Sequence, residues 1–307
     1  MIEKKLYQKQ DIRLNYYEIK NDLQPFVLIH AQGVDATSFE NIWEQLSKSY
    51  HIYSIDCYGH GKSLHDDVQY NIVDIGKAIS YFIKDVINEK VYLLGHSSGG
   101  LIAAYIASNT ELCSRLFLED PPFFSSQGER RKDTFNYIDL STVCHSFINQ
   151  SLSKDFVLYY FSNQYAWNFF PEKSRKKVKQ KLIKIAAKYR KKHPDKNLKV
   201  MFWPKYALSG FHGMNNYDPQ FGETFFNDSF HSGILHEDIL KNIKCKTIFM
   251  KAQTNINEDG ILMAALSEED LGKVAELIAD CKIVHFDCGH GIHIEKPKEF
   301  VECCLNL

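Results

Sequence analysis

The sequence predicts an α/β fold: a mostly parallel, doubly wound sheet with one helical insertion. Three observations predict it. Strand-like apolar runs alternate with helical patterns up to residue 120, the same rhythm resumes at residue 244, and residues 121–243 lack it. Strands joined through helices need crossovers, and crossovers cover both faces of a parallel sheet. The chain has 307 residues, 44% of them hydrophobic and 24% charged, enough for one large core and a subsidiary unit.

The elements follow in order. "MIEKKLYQKQDIRLNYYEI" alternates apolar and charged residues, the pattern of two short strands; it has no apolar stretch of the kind an export signal needs. "FVLIH" is a strand of the buried type. "TSFENIWEQLSKSY" opens on capping-type Thr37 or Ser38 and sets Phe39, Ile42, Trp43 and Leu46 on one helical face. "HIYSID" is the next strand. Residues 68–87 carry Ile72, Ile75, Ile79, Phe82, Ile83 and Val86 at helical spacing. "KVYLLG", a helix over 99–108 and "SRLFLED" close the first series at Asp120. Beyond the insertion come "KTIFMKA", a helix near 268–279, "KIVHFD" and a helix begun by Pro297. The expected division is a core domain of 1–120 and 244–307 around a helical unit of 121–243.

Bulk properties exclude several classes. A net charge of -1 gives no electrostatic footprint for nucleic acid. No apolar run approaches the roughly 18 residues of a membrane span. Eight cysteines are scattered without a CxxC pair, so free thiols in a cytoplasmic protein are expected, with no metal and no cofactor. In the insertion, Val178, Leu182, Ile185, Ala186 and Tyr189 share a helical face amid many lysines, which predicts a covering helix with a solvated basic outer side.

The chemistry concentrates in "VYLLGHSSGGLIAAYIAS", where Gly95-His96-Ser97-Ser98-Gly99 fits G-x-S-x-G. A nucleophile on a sharp strand-to-helix turn needs strained backbone and small neighbours two residues to either side. The helix N-terminus then lies beneath the hydroxyl with its free N–H groups. A serine also needs a base to take its proton as it attacks, and late in the chain "DCGHGIHIEKP" offers His290, with His293 as its competitor.

Four motifs in one order, "LIHAQG", "DCYGHGKS", "GHSSGG" and "DCGHGIHIEKP", resemble those of the α/β-hydrolase fold family over residues 26–120 and 244–305. The resemblance implies that Ser97 is the nucleophile and His290 the base, with an oxyanion hole formed by the N–H groups of Gln32 and Ser98. Ala31 stands where the family usually has glycine. His30, His60, His96 and Asp56 are expected to be structural. The resemblance implies that 121–243 form a cap (lid) over the serine. Its aromatic residues Trp167, Phe169, Phe170, Trp203, Phe211, Tyr217, Phe221, Phe225, Phe226 and Phe230 are expected to form mainly the cap's own core, a few lining an apolar pocket.

The third triad member stays open. Most of the family places the acid after the strand matched by "KTIFMKA", where Asn255 aligns, and asparagine cannot stabilise an imidazolium. Some members, haloalkane dehalogenases among them, place it after the preceding strand, which here ends at Asp120. Asp120 is therefore favoured over Asp259, Glu119 and Glu258. The expected activity is a serine hydrolase for a small to medium, largely apolar ester, lactone or related acyl compound. Carbon–carbon bond hydrolysis, acyl transfer and a slow ligand sensor are the alternatives. The partner expected is a small-molecule acyl substrate, with no nucleic acid and no membrane span; the sequence leaves the oligomeric state open.

Overall fold

The computed structural model describes residues 2–65, 70–201 and 208–306. Eight strands form one sheet: β1 (Ile2–Lys9), β2 (Ile12–Ile19), β3 (Pro25–Ile29), β4 (His51–Ile55), β5 (Val91–His96), β6 (Cys113–Glu119), β7 (Lys246–Lys251) and β8 (Cys281–His285). Their order is β1-β2-β4-β3-β5-β6-β7-β8. β1 and β2 form an antiparallel hairpin that meets β4 antiparallel, and every pairing from β4 to β8 is parallel.

Side-chain alternation divides the core in two. Phe26 and Leu28 of β3 join Ile52, Leu94, Phe117, Ile248 and Met250 on one face, under α1 (Glu40–Leu46) and the C-terminal helix Pro297–Asn306. Val27 and Ile29 point the other way with Leu93, Leu116 and Phe249, under α2 (Ile72–Phe82) and α3 (Ser98–Asn109). A strand buried on both faces needs apolar side chains or partnered polar ones: β3 is apolar throughout, and in β4, also buried at every position, His51 pairs with Glu18 and Ser54 Oγ donates to Ala36 O.

Two local expectations need correction. The first helix is capped by Asp35, whose carboxylate accepts the Thr37 N–H, and it opens with a tight turn over Ala36–Phe39 rather than at Thr37 or Ser38. Val86 leaves the buried face, at 37% exposure, because α2 continues into a wider π-type turn at Ile83–Ile87 that rotates it outward. Val68 and Trp203 lie outside the described residues.

Between β6 and β7 the chain leaves the sheet and forms helices, including Thr142–Ile148, Phe156–Asn163, Glu172–Lys192, Pro219–Phe226 and His236–Lys241. The basic helix Glu172–Lys192 buries Leu182 and Ala186, as its periodicity predicts, and also Arg190. That arginine is tolerated because Asp155 accepts from its Nε at 2.9 Å and the Lys196 carbonyl and Asn215 accept from Nη1. All eight cysteines are free thiols, and no described helix is long and apolar enough to cross a membrane.

Candidate active site

Chain direction selects the place of the site. β4 lies on one side of β3 and β5 on the other, so the order reverses at β3 and leaves a crevice at the carboxyl ends of β3 and β5. Gln32 follows β3 and Ser97 follows β5 at that crevice.

Ser97 adopts φ 54° and ψ -120°, a left-handed conformation that costs a non-glycine residue on the order of 1–3 kcal/mol. Its neighbours show why glycine is required. A methyl on Gly95 would enter the backbone of Gly99 and Gly100, and one on Gly99 would enter the carbonyls of Ile29 and His30. Hydrogen bonds hold the turn, with Ser97 N–H donating to Glu119 O at 2.9 Å and Gly100 N–H to Ser97 O at 2.8 Å.

The register of β5 on β6 pairs His96 with Glu119, so Ser97 and Asp120 are neighbours one step beyond the strand ends. Asp120 is also left-handed, at φ 45°, and fully buried. Its Oδ2 accepts from His290 Nδ1 at 2.8 Å, and its Oδ1 accepts from Ala252 N–H at 3.3 Å. With Nδ1 donating, His290 presents the Nε2 lone pair. Burial opposes charge on His290, but the hydrogen bond and the charge of Asp120 outweigh it and raise its pKa above the usual 6.5. The imidazole is 42% exposed, towards the cavity it lines. Ser97 lines the same cavity, and no hydrogen bond joins its Oγ to His290 here. Such contacts are often loose before substrate arrives.

Other acid candidates lie elsewhere. Asn255, Glu258 and Asp259 are exposed on the loop after β7, and none is hydrogen bonded to His290. Glu119, fully buried, serves His293, whose Nδ1 lies 2.8 and 2.9 Å from its two oxygens and whose backbone N–H donates to it at 2.9 Å. Burial would raise the Glu119 carboxyl, yet His293 beside it helps hold it down at about 2.

The loop after β3 carries the other expected donor. Among the described residues the backbone N–H groups of Gln32 and Ser98 make no hydrogen bond, and both residues border the cavity. Ala31 needs no left-handed backbone, because the positive φ of this loop (83°) falls on Gly33. The structural histidines sit beneath. His30 Nδ1 donates to Ala31 O at 2.7 Å while Nε2 accepts the Cys57 N–H at 3.0 Å. His60 Nδ1 donates to Tyr58 O at 3.0 Å and Nε2 accepts the Gly33 N–H at 3.1 Å. Burial lowers the pKa of both. Asp56 accepts from Ala36 N–H, Lys62 N–H and Asn15 Nδ2 and so braces its turn.

The cavity measures about 830 Å³ and has mostly apolar walls. Strand-end residues and the helical insertion share it, the latter through Leu140, Tyr160, Phe170 and Phe225 among others. Of the insertion's aromatic residues, Trp167, Phe211 and Phe230 are buried in its packing, Tyr217 and Phe221 are buried against His60 from the segment before it, and Phe169, Phe170 and Phe225 border the cavity.

The family model for the alpha/beta hydrolase fold matches residues 24–196, more than half of the 307. The chain belongs to the α/β-hydrolase fold family. Relatives include the (E)-2-((N-methylformamido)methylene)succinate hydrolase of Acinetobacter baylyi, 32% identical over 107 residues, which are 35% of this chain and 40% of that protein. The pimeloyl-[acyl-carrier protein] methyl ester esterase of Aeromonas salmonicida is 29% identical over 106 residues, 34% and 40% of the two chains. The matches thus span about two fifths of those relatives' lengths. Among solved structures, the enol-lactonase from Burkholderia xenovorans LB400 superposes with TM-score 0.64 at 14% identity, covering 98% of each chain. A deformylase from Pseudomonas putida S16 gives 0.67 at 18% identity, covering 99% and 100%.

In this α/β-hydrolase fold two buried polar residues carry little signal in the sequence. Lys251, the last residue of β7, is fully buried; its ammonium donates to Ala252 O and lies 3.8 Å from Asp120 Oδ1 and 3.7 Å from Glu268 Oε1. A lysine ending an apolar strand was the only signal. Asp139, 3% exposed on a π-type turn at Tyr137–Ser141, accepts from Tyr160 Oη and Tyr165 N–H in the cavity wall. Burial raises its pKa to about 6. Nothing in the local sequence distinguishes it from a solvated aspartate.

Proposed function

We propose that the protein is a serine hydrolase for a small to medium, largely apolar ester, lactone or related acyl compound. The observation that carries this is the 2.8 Å contact of His290 Nδ1 with Asp120 at the wall of the cavity that Ser97 also lines. In this reading His290 Nε2 takes the Ser97 hydroxyl proton as Oγ attacks the substrate carbonyl. Charge on the carbonyl oxygen is met by the N–H groups of Gln32 and Ser98, each donor worth about 2.7–4 kcal/mol in such holes. The leaving group departs with the proton from His290. Water, deprotonated by the same nitrogen, then releases the acid and restores Ser97. Residues 121–243 act as the lid and 1–120 with 244–307 as the catalytic domain.

Cavity size and apolar walls support the substrate class, since pockets of 300–1,000 Å³ suit small organic ligands. The names of the relatives, a methyl ester esterase and an enol-lactonase among them, fall in the same reaction class. A panel of short-chain esters and lactones tests the proposal. At least one should show sustained multiple turnover. A burst followed by stalling on every p-nitrophenyl ester would favour a sensor, and turnover confined to carbon–carbon bond substrates would reassign the reaction.

The pH profile is a second expectation. A base must be uncharged, and Asp120 favours the charged form of His290. The kcat/KM should therefore fall on acidification, with its midpoint above 6.5, and level off at higher pH. Folding linkage has the opposite sense. The raised pKa stabilises the folded chain below pH about 6.5, and that contribution fades as pH rises through the native value. A kcat/KM unchanged down to pH 5 would remove His290 as base.

A further inference from the structure

Beside the His290–Asp120 pair lies a second buried set that the proposed reaction does not use. His96 ends β5, Glu119 ends β6 opposite it, and His293 belongs to the short helix Ile292–Glu295. His96 is 6% exposed, and Glu119 and His293 are fully buried. Each imidazole is tied through one nitrogen. His96 Nε2 lies 3.1 Å from the His290 carbonyl oxygen, which can only accept, so Nε2 carries the proton. His293 Nδ1 donates to Glu119. In the uncharged rings the remaining nitrogens, His96 Nδ1 and His293 Nε2, then bear lone pairs. Both are buried, and neither has a hydrogen-bond partner.

The rings stand edge to face with centroids 5.1 Å apart, and one donor atom from each of His96, Glu119 and His293 falls within 4.8 Å of the others. This is how metal-binding histidines are usually held, the far nitrogen donating to a carboxylate or a backbone carbonyl so that the near one faces the ion. Two unpartnered nitrogens suit a borderline-soft ion. Calcium and magnesium, which require oxygen ligands, do not fit.

We propose that His96 Nδ1 and His293 Nε2, with Glu119 orienting His293 and balancing charge, bind a divalent transition ion of the zinc type. Zinc takes imidazole nitrogens at about 2.0–2.1 Å, and a centroid separation of 5.1 Å leaves room for one ion between the two rings. Both histidines border the cavity, which provides the entry path. The ring centroids of His96 and His290 are 4.8 Å apart, so a bound cation opposes the imidazolium that the proposed hydrolysis forms. Occupancy therefore inhibits, an effect that rests on the proposed function, whereas binding itself does not.

The test is equilibrium dialysis of the full chain, stripped with EDTA, against zinc chloride. Wild type and His290→Ala should each bind one equivalent. His96→Ala and His293→Gln, the latter keeping a donor for Glu119, should bind at least about ten-fold more weakly. Copper(II) bound to the wild type should show electron-spin coupling to two nitrogens, a readout that needs no variant to fold. Equal binding by all four proteins, loss of binding only in His290→Ala, or no nitrogen coupling overturns the site. Zinc should also slow ester turnover with the midpoint found in dialysis. If no ester is turned over, the binding result stands alone and the hydrolase reading is what has failed.

Discussion

Ser97→Ala should lower turnover of any ester the wild type hydrolyses by about 10⁶-fold, with KM nearly unchanged. The substitution removes a single oxygen. The turn beneath it is set by Gly95 and Gly99, whose missing Cβ atoms let the strand, α3 and the His30 carbonyl approach, so the fold should survive. A residual acceleration of about 10³–10⁴ over water is expected, because two N–H donors and the cavity still position the carbonyl. Single-turnover kinetics beside a thermal melt provide the check. A well-folded Ser97→Ala variant within ten-fold of wild type would end the acyl-enzyme interpretation.

Asp120→Asn should cost about 10⁴-fold in kcat, the effect known for a triad carboxylate replaced by its amide. Asparagine retains the shape but can present its NH₂ to His290 Nδ1, which selects the wrong tautomer. The acid limb of the pH profile should also move down, since Asp120 is what raises the His290 pKa against burial. Asp259→Asn should leave both kcat and the profile unchanged, because Asp259 is exposed on its loop, with its N–H bonded to Asn257 Oδ1. If Asp259→Asn were the damaging change, the assignment of the acid would be wrong. Asp120→Asn should lower the melting temperature as well, because Lys251 loses a carboxylate 3.8 Å from its buried ammonium.

Much of the fold was legible because its signals are local. β3 and the centres of β5, β6 and β7 are runs of consecutive apolar residues, and burial on both faces accounts for that. α2 follows its Ile72, Ile75, Ile79 spacing as far as Phe82, and fails at Val86, where a single wide turn changes the phase. The helix before β4 begins at Asp35 rather than Thr37 because capping strength depends on which side chain reaches a free N–H, and Asp35 does. Lys251 and Asp139 were illegible for a common reason. Each is polar by sequence and buried by context, and only partners distant in the chain make that burial tolerable.

The sequence by itself determined the order of strands and helices, the glycine-flanked turn that strains Ser97 and the position of His290 just past the last strand. These depend on spacing and steric size among near neighbours. The tertiary structure alone decided which carboxylate meets His290. The register of β5 on β6 sets Ser97 and Asp120 side by side, and β8 beyond β7 brings His290 to them across 170 residues of chain. Pairing of that kind is a property of the sheet, and no local pattern encodes it.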